Sequence, residues 1–442
     1  MLLHFLRIVI PELSDVAVGL FTHLGQTAGA VKLKRKTIQS LLINETFFTT
    51  DGRVTDENKL KREVLSWISP YVFTGIPKKL TNLLDTMRVL AYSEPLPTYM
   101  DRIFLANGTY YLSGDFEEGK DFCVNRLPVA YNPEAPEPTQ WLNFLDQLLY
   151  PEDIPTLQEY MGYCLIPSTK AQQMLFLVGK GGEGKSRVGL VMRALLGTNM
   201  ANGSIQKVET NPFARADLEH YLVMVDDDMK LEALPQTNYI KTIVTAEQPL
   251  DLERKGKQSY QGCLYSRFLV FGNGVMKSLY DRSEGFFRRQ LILSVKEKEK
   301  DRYDDPYLAE KMCREAEGIL LWALEGLRRL INQNFHFTVS QRTMDNRENA
   351  IRDGNNIVEF LESEGYFQFK ADAQISSKDF YAIYEEWCHD NAEKPLVAKS
   401  FSSYLIQHQK EYNLEYNNKI VNRSKRRVWG FWGVEPLIQV FP

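Results

Sequence analysis

The chain has 442 residues, enough for about two to four domains, because a single hydrophobic core stops growing at roughly 250–300 residues. Apolar residues make up 44% of the chain and charged residues 25%, which excludes a disordered or fibrous protein. The formal net charge of −4 excludes nucleic-acid binding through an overall positive field, so any such contact needs local basic patches.

Residues 1–131 are predicted to form a mainly helical domain, to which the sequence assigns no role. Apolar residues recur at helical spacing along 80–91, for example. A small β element is expected near 102–131, where two strand-like runs flank a favourable hairpin turn at Asn107-Gly108. A basic run at 32–36 is either a solvated face or a patch that faces DNA.

The middle of the chain is predicted to hold a helical segment followed by an α/β core. Residues 132–169 start with a proline-rich stretch and continue with amphipathic helical patterns. Residues 170–335 alternate strand-like and helix-like segments, which predicts an α/β fold with a mostly parallel sheet. Continuous apolar runs, typical of strands buried on both faces, occur at 174–178, 221–225, 267–272 and 289–295.

A complete phosphate-binding motif, G-x-x-x-x-G-K-[ST], follows the first apolar run. Its glycines let the backbone bend so that N–H groups point at phosphate oxygens. Lys185 supplies a point charge for the β- and γ-phosphates, the Ser186 hydroxyl suits Mg²⁺, and the helix that follows adds its positive dipole end. The motif predicts ATP and Mg²⁺ as cofactors, with the nucleotide held by Gly179, Gly181, Gly182, Glu183, Gly184, Lys185, Ser186 and Arg187.

Three adjacent carboxylates, Asp226 to Asp228, follow the second apolar run directly. They are expected at the carboxyl end of a strand, which is where open α/β sheets bind ligands. Asp226 and Asp227 are therefore predicted to bind Mg²⁺ and to polarise the attacking water. The other interpretation is an ordinary acidic turn, but the mutual repulsion of three carboxylates favours a bound cation.

Two further polar features lie beside the last two apolar runs. Asn273 ends the third run, where an amide can position water or sense the γ-phosphate, although Asn-Gly is also a common turn. Arg288 and Arg289 precede the fourth run. They are either an arginine finger for the γ-phosphate of a neighbouring subunit or part of a surface ion-pair cluster.

The end of the chain is predicted to be a separate DNA-binding unit. Residues 336–356 are polar and are expected to be a linker, and 357–442 have the order of three helices and a strand pair found in a winged helix. The strand pair carries positive charges without a negative one, at Lys419, Arg423, Lys425, Arg426 and Arg427. We expect these side chains to contact a DNA backbone, the alternative being a solvated hairpin, and we expect Trp429 and Trp432 to pack in the core.

Taken together, the motifs resemble superfamily 3 DNA helicases, which are AAA+ ATPases. The segments on which this resemblance rests are GKGGEGKS, VMVDDD, LERKGK, FLVFGN and DRSEGFFRRQLI, in that order. The resemblance covers residues 100–442 and is strongest to the phage/plasmid-type primase–helicase family, in particular to stand-alone replication-initiator helicases of mobile islands. No nucleotidyl-transfer motif is found in 1–130, so the helicase portion alone is expected.

The resemblance implies roles for several residues. Lys185 and Ser186 match the Walker A pair, and Asp226 and Asp227 match the Walker B acids, with the alignment open by one because Asp228 follows. Asn273 matches the sensor residue, and Arg288 or Arg289 the finger acting in trans. Lys255 and Lys257 match the turn of a β-hairpin that contacts single-stranded DNA in a central channel. A basic turn between β-prone residues suits such a phosphate contact.

Composition bears on where the protein acts. The five cysteines are scattered and include no C-x-x-C pair, which argues against a zinc ribbon and a disulfide framework and favours a reducing cytoplasm. With the resemblance, this is the cytoplasm of a bacterial or phage-infected cell. The start of the chain lacks a signal-peptide pattern, and no run of 18 apolar residues predicts a membrane span.

Three functions are compatible with these patterns. The first is an ATP-dependent replicative helicase that forms a hexameric ring, translocates on single-stranded DNA and takes part in replication initiation, with a separate primase as a candidate partner. The second is an initiator that binds origin duplex DNA and whose ATPase only controls assembly. The third is a P-loop kinase for a small molecule, which leaves the basic hairpins without a role.

Overall fold

The computed structural model describes residues 3–7, 16–23, 26–33, 36–43, 46–69, 74–229, 234, 236–276, 284–299, 304–354, 356–393, 395–421 and 425–438. The chain divides into two compact units. The first comprises Met1–Leu231, Asn238–Val275 and Arg289–Thr343, and the second comprises Glu232–Thr237, Met276–Arg288 and Met344–Pro442.

An antiparallel sheet opens the first unit, in which the described strands lie in chain order. They are β1 (Leu3–Arg7), β2 (Val16–His23), β3 (Gln26–Leu33), β4 (Lys36–Ile43), β5 (Thr46–Thr49) and β6 (Gly52–Arg53). Helices α1 (Glu57–Ile68) and α2 (Ile76–Ala91) follow. The prediction of a mainly helical N-terminal region is therefore wrong for 3–53, where frequent Val, Ile and Thr residues favour strands. Of the basic run at 32–36, Lys32 and Leu33 end β3 and Lys36 begins β4, while 34–35 lie outside the described residues.

A second small sheet consists of β7 (Arg102–Leu105), β8 (Gly108–Tyr111) and β9 (Phe116–Glu118), which confirms the predicted hairpin at Asn107. The buried Arg126 side chain ties the two sheets together. Its guanidinium donates to the carbonyl oxygens of Thr50, at 2.7 Å, and of Leu105, at 2.6 Å. The N-terminal sheet is thereby fixed to the rest of the first unit.

The middle of the chain alternates helices and strands, as predicted. Helices α3 (Thr139–Leu148) and α4 (Ile154–Tyr163) come first. The following elements are β10 (Met174–Val178), α5 (Lys185–Leu196), β11 (Met200–Asn202), α6 (Ile205–Thr210), α7 (Pro212–Ala216), β12 (Val223–Asp226), α8 (Asn238–Val244), β13 (Leu250–Leu252), β14 (Tyr260–Gly262), β15 (Arg267–Gly272), α9 (Glu284–Phe287), β16 (Gln290–Ser294), α10 (Leu308–Arg314) and α11 (Ala316–Asn332).

In the described part of the chain, five of these strands form one parallel sheet in the order β11-β12-β15-β10-β16. Strand β10 pairs with β15 on one side and with β16 on the other, so the segment after it leaves from the interior of the sheet. Because all the strands run the same way, their carboxyl ends lie along one edge. The predicted mixed α/β fold with a mostly parallel sheet is confirmed.

Helix α4 is buried along most of its length and packs on α11. The two backbones approach closely at Gly162 and Gly326, since a Cβ on Gly326 would lie 2.4 Å from the carbonyl oxygen of Gln158. The fully buried Glu159 accepts from Arg329 at 2.6 Å and from the Thr338 amide at 2.7 Å. This helix pair forms one wall of the main hydrophobic core.

The C-terminal part contains α12 (Gln341–Gly354), α13 (Asn356–Glu362), β17 (Phe367–Ser376), α14 (Ser377–Asp390), α15 (Ala398–Gln407), β18 (Glu415–Val421) and β19 (Arg427–Pro436). The linker expected at 336–356 is instead largely helix α12, a polar segment whose only glycine is the last residue of the helix. Strand β17 was not predicted and completes an antiparallel sheet in the order β17-β19-β18.

An aromatic core holds the second unit together, with Phe360, Phe380, Tyr384 and Phe401 in mutual ring contact. The N-cap predicted at Ser376 is present, because its hydroxyl accepts from the Asp379 amide at 3.1 Å. Among the described helices of both units, none has the length and apolar character needed to cross a membrane.

Candidate functional site

The glycine-rich loop joins β10 to α5 at the carboxyl edge of the parallel sheet. Gly181, Gly182 and Gly184 have φ values of +116°, +83° and +106°. Residues with a Cβ rarely adopt this region, so the turn requires glycine at these positions. The turn delivers the chain to α5, whose first residue is Lys185.

The first residue of the loop is fixed to both neighbouring strands. The Gly179 amide donates to the carbonyl oxygen of Gly272, at the end of β15, over 3.1 Å, and the Val295 amide donates to Val178 over 2.9 Å. A Cβ on Gly179 would lie only 2.4 Å from Val295 Cγ2. The start of the loop therefore has a defined position at the centre of the sheet edge.

An anion already lies among the donors of this loop. The Glu183 carboxylate accepts from the Lys185 ammonium at 2.8 Å and from the Gly181 amide at 2.7 Å. Glu183 is 3% exposed and Lys185 is 8% exposed. Burial raises the pKa of Glu183, but these hydrogen bonds and the Lys185 charge outweigh burial and hold the pKa below its usual value. The sequence placed Glu183 in the loop but gave no sign that its carboxylate turns inward.

The outer residues of the motif face away from this buried pair. Ser186 is exposed in the first turn of α5. Arg187 is half-buried and donates to the carbonyl oxygen of Asp305 at 3.3 Å. Lys180 is exposed and pairs with Glu297 on the surface. Lys185 is thus the lysine of the loop that lies inside the fold, and Lys180 is its surface counterpart.

The acidic run ends β12 two strands away from β10, and its members differ. Asp226 is buried, and its carboxylate accepts from the Ile205 amide at the start of α6 over 2.8 Å. Burial raises the pKa of Asp226 above its usual value. Asp227 and Asp228 are exposed. The first acid therefore anchors a helix, and the next two face solvent.

Backbone pairing brings the acidic run, the asparagine and the loop to the same edge. Asp226 lies opposite Val270 in β15, and the Met229 amide donates to the Phe271 carbonyl oxygen over 3.0 Å. Asn273 follows Gly272, the residue bonded to the loop, and is exposed. Among the described residues, no group of three or more His, Cys, Asp and Glu side chains is placed to hold a metal ion.

The two arginines fall in different units, Arg288 in the second and Arg289 in the first. Arg288 is exposed and Arg289 is half-buried. The Arg289 carbonyl oxygen accepts from the Met174 amide at 2.8 Å, at the amino ends of β16 and β10. The loop leaves the opposite end of β10, about 17 Å away at roughly 3.3 Å per strand residue. Arg289 therefore lies at the opposite edge of the sheet from the loop of its own chain.

The predicted basic hairpin is present, with β13 and β14 paired in antiparallel register. Lys255 and Lys257 are exposed on either side of Gly256, which has a φ of +76°. The turn end of the hairpin is held by the buried Glu219, which the sequence did not single out. Its carboxylate accepts from Arg254 and from the Tyr260 hydroxyl, both at 2.6 Å.

The second predicted basic hairpin is formed by β18 and β19. Lys419, Lys425, Arg426 and Arg427 are exposed there, and Arg423 lies outside the described residues. The prediction that both tryptophans pack in the core is wrong for Trp429, which is 56% exposed, and Trp432 is half-buried. Trp429 stacks instead on Tyr416, with ring centroids 5.1 Å apart and planes at 22°.

Comparison with known proteins gives limited matches. A family of unknown function, DUF5906, matches residues 177–289, which run from the end of β10 to the residue before β16. The apo structure of the NrS-1 C-terminal region (305–718) is similar with a TM-score of 0.47 and 10% identity, covering 95% of this chain and 96% of that one. The A form of that region gives 0.45 and 12%, covering 90% and 85%. These low scores carry no conclusion about activity.

Proposed function

We propose that the chain is an ATP hydrolase that moves along single-stranded DNA as a ring. The observation that carries the first half of this proposal is the Glu183 carboxylate held by Lys185 and by the Gly181 amide. The same ammonium and amide groups are the donors that a phosphate group requires, and they stand at the amino end of a helix. The residues present therefore fit a nucleoside triphosphate.

In this proposal each group at the sheet edge has a defined task. The loop amides and Lys185 bind the β- and γ-phosphates once Glu183 has been displaced. Ser186 and Asp227 hold the magnesium ion, which typically takes one or two protein ligands together with phosphate and water oxygens. Asp227 is preferred to Asp226 because the carboxylate of Asp226 is occupied by the Ile205 amide. Bound Mg²⁺–ATP supplies the phosphoryl group, and Asn273 orients the water.

The position of Arg289 supports the proposed assembly of several chains. At the amino end of β16 it is too far from its own loop to contact a nucleotide bound there. A finger role for Arg289 therefore requires a second copy of the chain whose loop faces that edge. A closed ring, which we propose to be a hexamer, supplies every loop with such a neighbour.

The exposed lysines of the first basic hairpin are proposed to grip single-stranded DNA in the ring. We propose that the C-terminal three-helix, three-strand unit is a winged helix. An initiator that binds duplex DNA, with its ATPase used only for assembly, is the second candidate. The observation that favours this second function is the row of exposed cations on the C-terminal hairpin.

The test is ATP hydrolysis by the full chain, with and without single-stranded DNA. Lys185→Ala should reduce turnover at least about 100-fold, since a preorganised donor to the reacting phosphate is lost. The matched control is Lys180→Ala, a lysine of the same loop that faces solvent, which should stay within about twofold. Normal turnover by Lys185→Ala would contradict the proposal. DNA-stimulated hydrolysis without strand separation or ring formation would favour the second candidate.

A further inference from the structure

The exposed aromatic pair on the C-terminal hairpin, Trp429 and Tyr416, is termed the aromatic platform. Trp429 lies two residues before the fully buried Phe431 in β19, towards the turn of the hairpin, so the two side chains share a face of the strand and Trp429 is the exposed one. More than half of the Trp429 side chain is in contact with solvent. Aromatic side chains of this size can bury large areas on binding, so an exposed one beside cations is a candidate contact surface.

The platform is held rigidly. Tyr416 stacks on Trp429 and also contacts the fully buried Phe431, with centroids 4.9 Å apart. The indole is thereby fixed to the hydrophobic core of the second unit through one intervening ring. Little side-chain freedom would be lost when a ligand stacks on its open face.

Positive charge lies along the hairpin on the turn side of the platform. The described cations on this hairpin are Lys419, Lys425, Arg426 and Arg427, and the sequence from 419 to 429 contains no acidic residue. Lys425 adopts a φ of +54°, a conformation that glycine or asparagine would occupy at a lower cost. A lysine at this turn is consistent with a requirement for charge.

An aromatic face with cations beside it matches an unpaired base and its phosphates. Every base has a π face that can stack on an indole, and single strands expose these faces, whereas a duplex keeps its bases stacked inside and presents phosphates. A site for duplex backbone alone would need the cations and not the exposed indole. The chemistry therefore favours a single strand.

We propose that the aromatic platform and the cations of this hairpin form a binding site for single-stranded nucleic acid, in which one base stacks on Trp429 while the cations hold the adjacent phosphates. The site lies on the second unit and does not depend on ATP hydrolysis. It differs from a duplex contact made by the arginines of the hairpin. The hairpin would then bind a strand that has already been separated.

The experiment uses the full-length chain and two labelled oligonucleotides of equal length, an oligo-deoxythymidine and an abasic strand with the same phosphates but no bases. Binding is measured by fluorescence anisotropy. Trp429→Ala should weaken binding of oligo-deoxythymidine about tenfold and binding of the abasic strand less than about twofold. Trp429→Phe keeps an aromatic face and should lose no more than about threefold.

A charge control completes the design. Lys425→Ala combined with Arg426→Ala should weaken both oligonucleotides to a similar degree, because both carry the same phosphates. Equal losses on the two strands with Trp429→Ala, no loss on either, or a loss with Trp429→Phe as large as with alanine would each overturn the proposal. Thermal unfolding of every variant shows whether it is folded, so that a loss of binding is interpreted only for folded chains.

Discussion

The glycine-rich loop and the two basic hairpins carry positive charge in opposite surroundings. Lys185 is buried and has its countercharge, Glu183, two residues away within the same loop. Lys255 and Lys257 are exposed on a turn, and Lys425 is exposed on another. Lys185 therefore contributes to the stability of the fold as well as to the proposed activity. The exposed cations lie at the surface, so their removal should affect binding more than stability.

The largest effect is expected from Lys185→Ala on stability. Removing the ammonium leaves the Glu183 carboxylate buried without a countercharge, which should lower the free energy of unfolding by about 3 kcal/mol. Urea unfolding measures this loss. Adding Glu183→Gln to the same chain should restore most of it, because the uncompensated charge is gone. A loss that the double variant does not recover would show that packing, not charge, sets the effect.

The next effect concerns nucleotide affinity. Glu183→Gln removes a charged competitor for the Lys185 ammonium and the Gly181 amide. ATP should therefore bind about five- to tenfold more tightly, as judged by titration calorimetry. Glu297→Gln, which changes an exposed acid beside the same loop, is the control and should leave the affinity unchanged. Weaker binding by Glu183→Gln would mean that the carboxylate shapes the loop for the nucleotide.

A smaller effect is expected when the C-terminal cations are removed together. Lys425→Ala, Arg426→Ala and Arg427→Ala in one chain should reduce the slope of log affinity against log salt by about 2 for single strands. The free energy of unfolding should change by less than about 0.5 kcal/mol. Binding measured over a salt series provides the slope. A slope equal to that of the parent would place the nucleic acid elsewhere.

The smallest effect is expected from Lys255→Ala with Lys257→Ala. Two phosphate contacts fewer should reduce the salt slope by about 1.4 on single strands, again without loss of stability. Under the proposed function, stimulation of ATP hydrolysis by DNA should also fall, while hydrolysis without DNA stays the same. Unchanged stimulation would show that this hairpin does not contact the DNA that stimulates hydrolysis.

The parallel sheet could be predicted from the sequence because its strands are buried on both faces. The runs at 174–178 and 267–272 coincide with β10 and β15. The N-terminal strands were not predicted although β2 contains an apolar run at 16–21, and β11 was not predicted because it has three residues. Helix α12 was not predicted because its sequence is polar, as that of a linker is.

The sequence predicted which residues form the site, but it did not predict the contacts between them. The spacing of the motif identified Lys185, but the inward turn of Glu183 depends on a backbone with three positive φ angles. Asp226 was assigned to the metal, yet its carboxylate meets the first amide of α6, a contact that depends on tertiary structure. Trp429 was assigned to the core because tryptophan is usually buried, but it lies near the turn of the hairpin, where its side chain is exposed.

Glu219 holds the turn end of the first hairpin four residues before β12 begins, and β12 ends in the acidic run. A strand of this length spans about 13 Å and hardly stretches. Under the proposed function, a short turn and this strand join the element that grips DNA to the acids beside the nucleotide. Thermodynamic linkage then requires that ATP and DNA affect each other equally. The factor by which ATP changes the affinity for DNA is the factor by which DNA changes the affinity for ATP. The buried Glu219 carboxylate would then determine the strength of the coupling between ATP binding and DNA binding.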